Sequence, residues 1–208
     1  MSAKTFRHIS LMVVAVALVV GLGTSEADGS GGNEYPIDAN VVSSFSATHS
    51  GYPATDIFAK CGVGVVAPVS GLVNGLRRSD LWNKKTDNPW LRGGKFVSIV
   101  GVDGVRYYLA HLDTIVDGLK AGSVVQVGQR IGTLGRTGRA GACHVHFGIS
   151  PPCQNPEWWV RRGVIWSAKY LTAWRRGVEK SPVSAIQRWL QNNPEACVGK
   201  EQLPWPSN

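Results

Sequence analysis

The sequence predicts a mainly β protein: an antiparallel, sandwich-like β domain followed by a short helical, tryptophan-rich extension. Three observations carry this. Between Val41 and Ile149, short apolar and β-branched runs alternate with glycine turns (GVGVVAPV, GLVNGL, KFVSIVG, VRYYLAHL, SVVQVG, RIGTLG, HVHFGI), the rhythm of sandwiches and barrels. Asp103-Gly104, between FVSIVG and VRYYLAHL, is a strong two-residue hairpin signal. After Pro151-Pro152 the texture changes, and Asn155-Pro156 and Ser181-Pro182 each read as an N-cap followed by proline at the first helical position.

In chain order, residues 1–27 read as a secretory signal peptide. Lys4 and Arg7 precede an apolar run from Ile9 to about Gly23, and the small-residue pattern Ser25-Glu26-Ala27 follows. The run is shorter than the roughly 20 residues a membrane-spanning helix needs, so cleavage after Ala27 and no integral span are expected. Residues 28–40, DGSGGNEYPIDAN, read as a flexible leader. Residues 41–150 are the β domain and residues 151–208 the extension. There Val183, Ile186, Trp189 and Leu190 recur at helical spacing until Asn192-Asn193-Pro194 ends the helix. Six of the eight tryptophans fall between Trp158 and Trp205, where their large apolar area suits packing of a tail onto a core. A chain of 208 residues, 43% hydrophobic, supports one such domain with an appendage.

Export sets the redox context. Cys61, Cys143, Cys153 and Cys197 are an even number in an oxidising compartment, where disulfides persist. Of three possible connectivities, Cys61–Cys143 with Cys153–Cys197 would tie two parts of the core and staple the tail onto it. The formal charge of +8 falls to +7 once Lys4, Arg7 and Glu26 leave with the signal segment. Such a chain is drawn to polyanions, which outside a bacterial cell are wall polymers and membrane surfaces rather than nucleic acid.

Four histidines outside the signal segment can carry chemistry: His49, His111, His144 and His146. In a strand, His144 and His146 project to one side about 6.5–7 Å apart, with Cys143 and Val145 on the other. One metal-centred site can receive both rings, whereas a Cys143/His nucleophilic pair loses its geometry. In THSGYPATDIFA, His49 and Asp56 bracket a Gly-Tyr-Pro turn and can offer nitrogen and oxygen ligands to one zinc; taken singly they are a loop residue and a turn-capping carboxylate. His111 lies in or at the end of an alternating strand. GQRIGTLGRTGRAGAC lacks the Gly-Lys-Ser/Thr of a phosphate loop and reads as a turn-rich hairpin. His-Glu-x-x-His and Gly-x-Ser-x-Gly motifs are absent.

Taken in order, these pieces resemble the LytM/lysostaphin-type zinc endopeptidases (peptidase family M23) over roughly residues 45–150. The resemblance rests on His49 with Asp56, Ala67-Pro68-Val69-Ser70-Gly71-Leu72-Val73, Ala110-His111-Leu112, Gly128 to Gly138, and His144-Val145-His146-Phe147. It implies a LytM-type catalytic domain with one Zn²⁺ per chain held by His49, Asp56 and His146, and with His111 and His144 as catalytic, non-ligand histidines. Three protein ligands leave a fourth position open for water. Peptidoglycan peptides are the implied substrate, the cell wall the implied location, and a monomer the implied state. Two departures stand out. The family spaces its first ligands as His-x-x-x-Asp, whereas six residues separate His49 from Asp56; a wider surface loop absorbs the difference at small cost. Leu109 stands where the family often has tyrosine, leaving Tyr52, Tyr107 and Tyr108 as substitutes. The competing reading is a non-catalytic wall-binding or hydrolase-activating module on the same scaffold.

Overall fold

The computed structural model describes residues 32–153 and 157–197. The signal segment, the start of the leader, the Asn155-Pro156 cap and Trp205 lie outside the described residues. Among the described residues no helix is long and apolar enough to cross a membrane.

Nine strands run in chain order: β1 (Ser44–Phe45), β2 (Thr55–Phe58), β3 (Gly64–Val66), β4 (Gly71–Arg77), β5 (Lys95–Gly101), β6 (Arg106–Ile115), β7 (Val124–Val125), β8 (Arg130–Leu134) and β9 (His144–Ser150). All pairings are antiparallel, in the order β1-β2-β9-β6-β5-β4-β7. The β3–β8 pair joins this path through β6, so the layers are hydrogen-bonded to one another rather than forming two separate sheets. The long β6 makes this possible. Its residues Arg106–Ala110 pair with β9, and Leu112–Ile115 continue along the same edge with β8.

Alternation sorts the side chains into two faces. Ile57, Val97, Ile99, Tyr107, Leu109, Val145, Phe147 and Ile149 share the main core with Val65 of β3 and Ile131 and Leu134 of β8. Each fully buried side chain of this size contributes about 1.5–3 kcal/mol. The intervening residues Phe96, Tyr108 and Ala110 form a smaller cluster on the opposite face. The β5–β6 hairpin turns at Asp103-Gly104, with Gly104 at φ 72°. Gly101 N–H donates to the Val105 carbonyl, so Val102 joins the turn and the loop is one residue longer than the two-residue form expected.

The leader expectation fails over its second half. Tyr35 and Ile37 are buried in the main core, and Ile37 bridges to Val65, so burial of two large apolar side chains fixes the chain well before Val41. The extension is helical as expected: α1 (Trp158–Arg162), α2 (Ala168–Arg175), α3 (Val183–Asn192) and a final 3₁₀ turn, Pro194–Cys197. In α3, Ile186 is buried, Val183, Trp189 and Leu190 pack beside it against the core, and Ser181 Oγ accepts from Val183 N–H. Helix α2 had no clear sequence signal. It docks through Tyr170, Leu171 and Trp174, the last packing edge-on against Phe147. The disulfides are Cys61–Cys143 and Cys153–Cys197; crosslinks closing loops of this size stabilise by about 2–5 kcal/mol.

Candidate metal centre

The minor face of the sheet carries the site because β2, β9 and β6 bring matching positions together there. Asp56 stands directly opposite His146 in the β2–β9 pair, and Ala110 opposite His146 in the β6–β9 pair. His144 and His146 share this face while Val145 is buried in the core behind them, as strand parity requires.

Parity alone would send His111 to the core face with Tyr107 and Leu109. A bulge prevents this. The β5–β6 register slips between Lys95 and Phe96, leaving His111 as the extra residue at φ 64°, and such a bulge re-aims a side chain. The ring turns onto the minor face, 4.6 Å from that of His144. Left-handed backbone at a non-glycine residue costs about 1–2 kcal/mol. His111→Gly is therefore expected to be more stable than His111→Ala by about 1 kcal/mol in chemical denaturation, although both remove the imidazole.

Loop 46–54 folds back so that His49 Nε2 lies 3.8 Å from Asp56 Oδ2, and the wide spacing of this pair is thus absorbed in the loop. On the other side of the carboxylate, His146 Nδ1 lies 2.9 Å from Asp56 Oδ1, and His144 Nε2 lies 3.7 Å from the same oxygen. Ligand atoms of His49, Asp56 and His146 all fall within 4.8 Å of one another. The remaining ring nitrogens face backbone carbonyls: His49 Nδ1 that of Tyr52 at 3.3 Å, His111 Nδ1 that of Thr137 at 2.7 Å, and His144 Nδ1 that of Ala142 at 2.9 Å. N–H donation to these acceptors leaves Nε2 of all three rings with a free lone pair.

His146 is oriented the other way. Its Nε2–H donates to the Arg162 carbonyl at 3.1 Å, with the Tyr52 hydroxyl at 3.5 Å. Nδ1, facing a carboxylate, then calls for a proton or a metal ion between the two groups. Two imidazole nitrogens and a carboxylate, with the far side of each ring fixed by a carbonyl, suit a zinc-type ion. Burial would raise the Asp56 carboxyl, but the hydrogen bond from His146 and the charges of His146, His144 and His49 outweigh it and hold the group at about 2. Burial, joined by the charges of His144 and His146, lowers His111 to about 3 and keeps it neutral. Burial likewise lowers His49 and raises the Tyr52 hydroxyl.

Sequence reasoning did not anticipate what the extension contributes. At Gly148 any Cβ would lie 1.7 Å from the Arg162 carbonyl oxygen, so glycine there lets α1 approach β9 closely enough for that carbonyl to reach His146. The Gly after His-x-His-Phe was the available signal. Of the three tyrosines, Tyr107 is in the core bonded to Asp103, Tyr108 sits 6.3 Å ring to ring from His146, and Tyr52 lines the cleft.

Two loops frame the site. Gly138, at φ 67°, meets the backbone of Arg92 and Gly94, which places the Thr137 carbonyl beside His111. Asp87 clasps the same loops, accepting from Arg92 at 2.9 and 2.7 Å, Trp82 Nε1 at 3.0 Å and Arg139 at 3.0 Å. The bonds from Arg92 and Trp82, with the charge of Arg139, hold its carboxyl at about 2. A carboxyl lowered by folding stabilises above its ordinary value of about 3.8 and loses that contribution as pH falls through 2. The clasp is expected to stay closed down to about pH 3 and to open below, read by titrating the Asp87 carboxyl in NMR and by acid-protease cleavage of residues 78–94.

Comparison with known proteins gives the same frame. The family model described as peptidase family M23 matches residues 49–156. The chain is 31% identical over 114 residues to the L-Ala--D-Glu endopeptidase of Bacillus subtilis (strain 168), a match spanning 51% of this chain and 32% of that protein; it thus covers about a third of that relative's length. Among solved structures, the antimicrobial peptidase lysostaphin from Staphylococcus simulans superposes with a TM-score of 0.53 at 21% identity, covering 76% of this chain and 59% of that one. Its isolated catalytic domain gives a TM-score of 0.47 at 24% identity, covering 69% and 90%. The expected antiparallel fold is thus seen both in the strands and in the likeness to lysostaphin. Because the model match takes in more than half of the sequence, including all five candidate site residues, the chain belongs to peptidase family M23.

Proposed function

We propose that the protein is an exported zinc-dependent endopeptidase that hydrolyses peptide bonds of bacterial peptidoglycan. The observation that carries this is the convergence of His49, Asp56 and His146 with two further imidazoles on one face, each of the two with a free Nε2. His49 Nε2, an Asp56 oxygen and His146 Nδ1 would hold one ion; zinc, when bound, supplies a Lewis acid and lowers the pKa of a bound water to about 7. His111, neutral and anchored through Nδ1, presents Nε2 as an acceptor. His144 presents its own Nε2 beside it. These two rings are the groups placed to take and return a proton or to steady charge developing on the substrate carbonyl. Tyr52 contributes a hydroxyl at the cleft wall.

Wall peptides as substrate are supported by membership of the family and by the names of its relatives, one an L-Ala--D-Glu endopeptidase and another an antimicrobial peptidase. Export is supported by the basic, apolar and small-residue order of residues 1–27 and by two disulfides with no free cysteine among the described residues. The net positive charge favours anionic wall polymers as a secondary contact, and the protein acts as a monomer. A non-catalytic module is the less favoured reading, because such a module has no need of five oriented site residues.

The deciding experiment is mass spectrometry of muropeptides released from defined walls by the purified, zinc-loaded protein, with and without chelator. New amine and carboxyl ends that vanish on chelation and return with zinc are expected. Stoichiometric zinc with no cleaved peptide bond on any wall type would overturn the reading in favour of the binding module.

A further inference from the structure

We propose that the cleft contains a guanidinium subsite, formed by Arg92, Arg139 and Arg162 around Trp158, that binds a carboxylate of the substrate peptide. The proposal rests on the peptidase reading and specifies which wall peptides it accepts. The cleft, about 630 Å³, runs from the five site residues to these three arginines. Trp158 is flanked by two guanidiniums, with Cζ of Arg162 at 5.2 Å and of Arg92 at 6.0 Å from its ring. Tyr52 links this shelf to the metal site, standing 5.6 Å from the His146 ring and 6.0 Å from that of Trp158. An extended peptide covers those two steps in about three to four residues, at roughly 3.3–3.6 Å each.

The charges are unbalanced toward cation. Asp56, the one carboxylate lining the cleft among the described residues, belongs to the candidate ligand set. Arg92 and Arg139 share the single carboxylate of Asp87. Arg162 is only 5% exposed; one terminal nitrogen donates to the Pro89 carbonyl at 2.5 Å, its side chain hydrogen-bonds the Tyr52 hydroxyl, and its Nε is enclosed with no acceptor among the described residues. A buried guanidinium that no carboxylate neutralises is stabilised by an incoming one, through its charge and the terminal N–H that faces the cleft. Stem peptides of peptidoglycan carry free carboxylates beside their peptide bonds. Glycine cross-bridges carry none within the chain. The cleft is therefore matched to stem peptides.

The test compares matched synthetic stem peptides, with the carboxylate free or converted to carboxamide, and a pentaglycine, all with the full zinc-loaded chain. The free acid should be favoured over the amide by about 10–100-fold in kcat/KM, the range of one charge-assisted hydrogen-bonded contact. Arg139→Gln, at an exposed position, and Arg92→Gln should each cut that ratio at least several-fold, mainly through KM. Equal rates on acid and amide, faster cleavage of pentaglycine, or an undiminished ratio in both variants would overturn the subsite and leave the peptidase reading standing. Failure to cleave any of the peptides would overturn the peptidase reading, and the subsite with it.

Discussion

His146→Ala is expected to lose bound zinc and wall-lytic activity together while keeping its fold. His146 is the one candidate ligand held on three sides: by pairing opposite Asp56 and Ala110 in neighbouring strands, by the Asp56 carboxylate, and by the Arg162 carbonyl. Removing its ring leaves His49 and Asp56, two donors, where a hydrolytic zinc site needs three. The loss should exceed the roughly 10–100-fold that follows removal of a supporting partner. Metal content by mass spectrometry, muropeptide release and near-UV circular dichroism on one preparation check it. Native-like turnover from a zinc-free variant would remove His146 from the metal set.

His111→Ala and His144→Ala are expected to behave differently. Neither ring is in the ligand set, so zinc content and KM should hold while kcat falls about 10²–10⁴-fold, the span of general acid–base assistance. Because the rings lie 4.6 Å apart over one reaction zone, the double variant should lose far less than the product of the single losses, as groups acting as a unit do. Single-turnover rates on a defined stem peptide measure this. Full multiplicativity would show the two acting independently, and a drop in bound zinc in either variant would move it into the ligand set.

Much of the candidate site's geometry was legible because strand alternation is a strict rule. Period 2 places His144 with His146 and turns Val145 into the core, and the same rule removes Cys143 from the histidines and leaves it for Cys61. His111 was not placeable by that rule. Its presence on the minor face depends on a one-residue slip whose backbone signal, a left-handed residue, is normally announced by glycine rather than histidine. Tyr35 and Ile37 were hidden inside a Gly/Ser/Pro-rich stretch, where composition outweighed two apolar residues that the core in fact buries. The extension's role escaped for another reason. Its contribution to His146 is a main-chain carbonyl, and no side-chain pattern encodes which carbonyl a helix end will present.

That carbonyl bears on how the protein can be divided. The family match stops at residue 156, yet the acceptor for His146 lies in α1, beyond it. A chimera grafting residues 49–156 onto a different carrier would carry all five ionisable groups and still leave His146 Nε2 without its carbonyl acceptor. Any transplanted unit therefore has to run at least through Gly163, where the close contact with Gly148 and Pro53 is made, and the helical extension positions a candidate ligand as well as packing on the core.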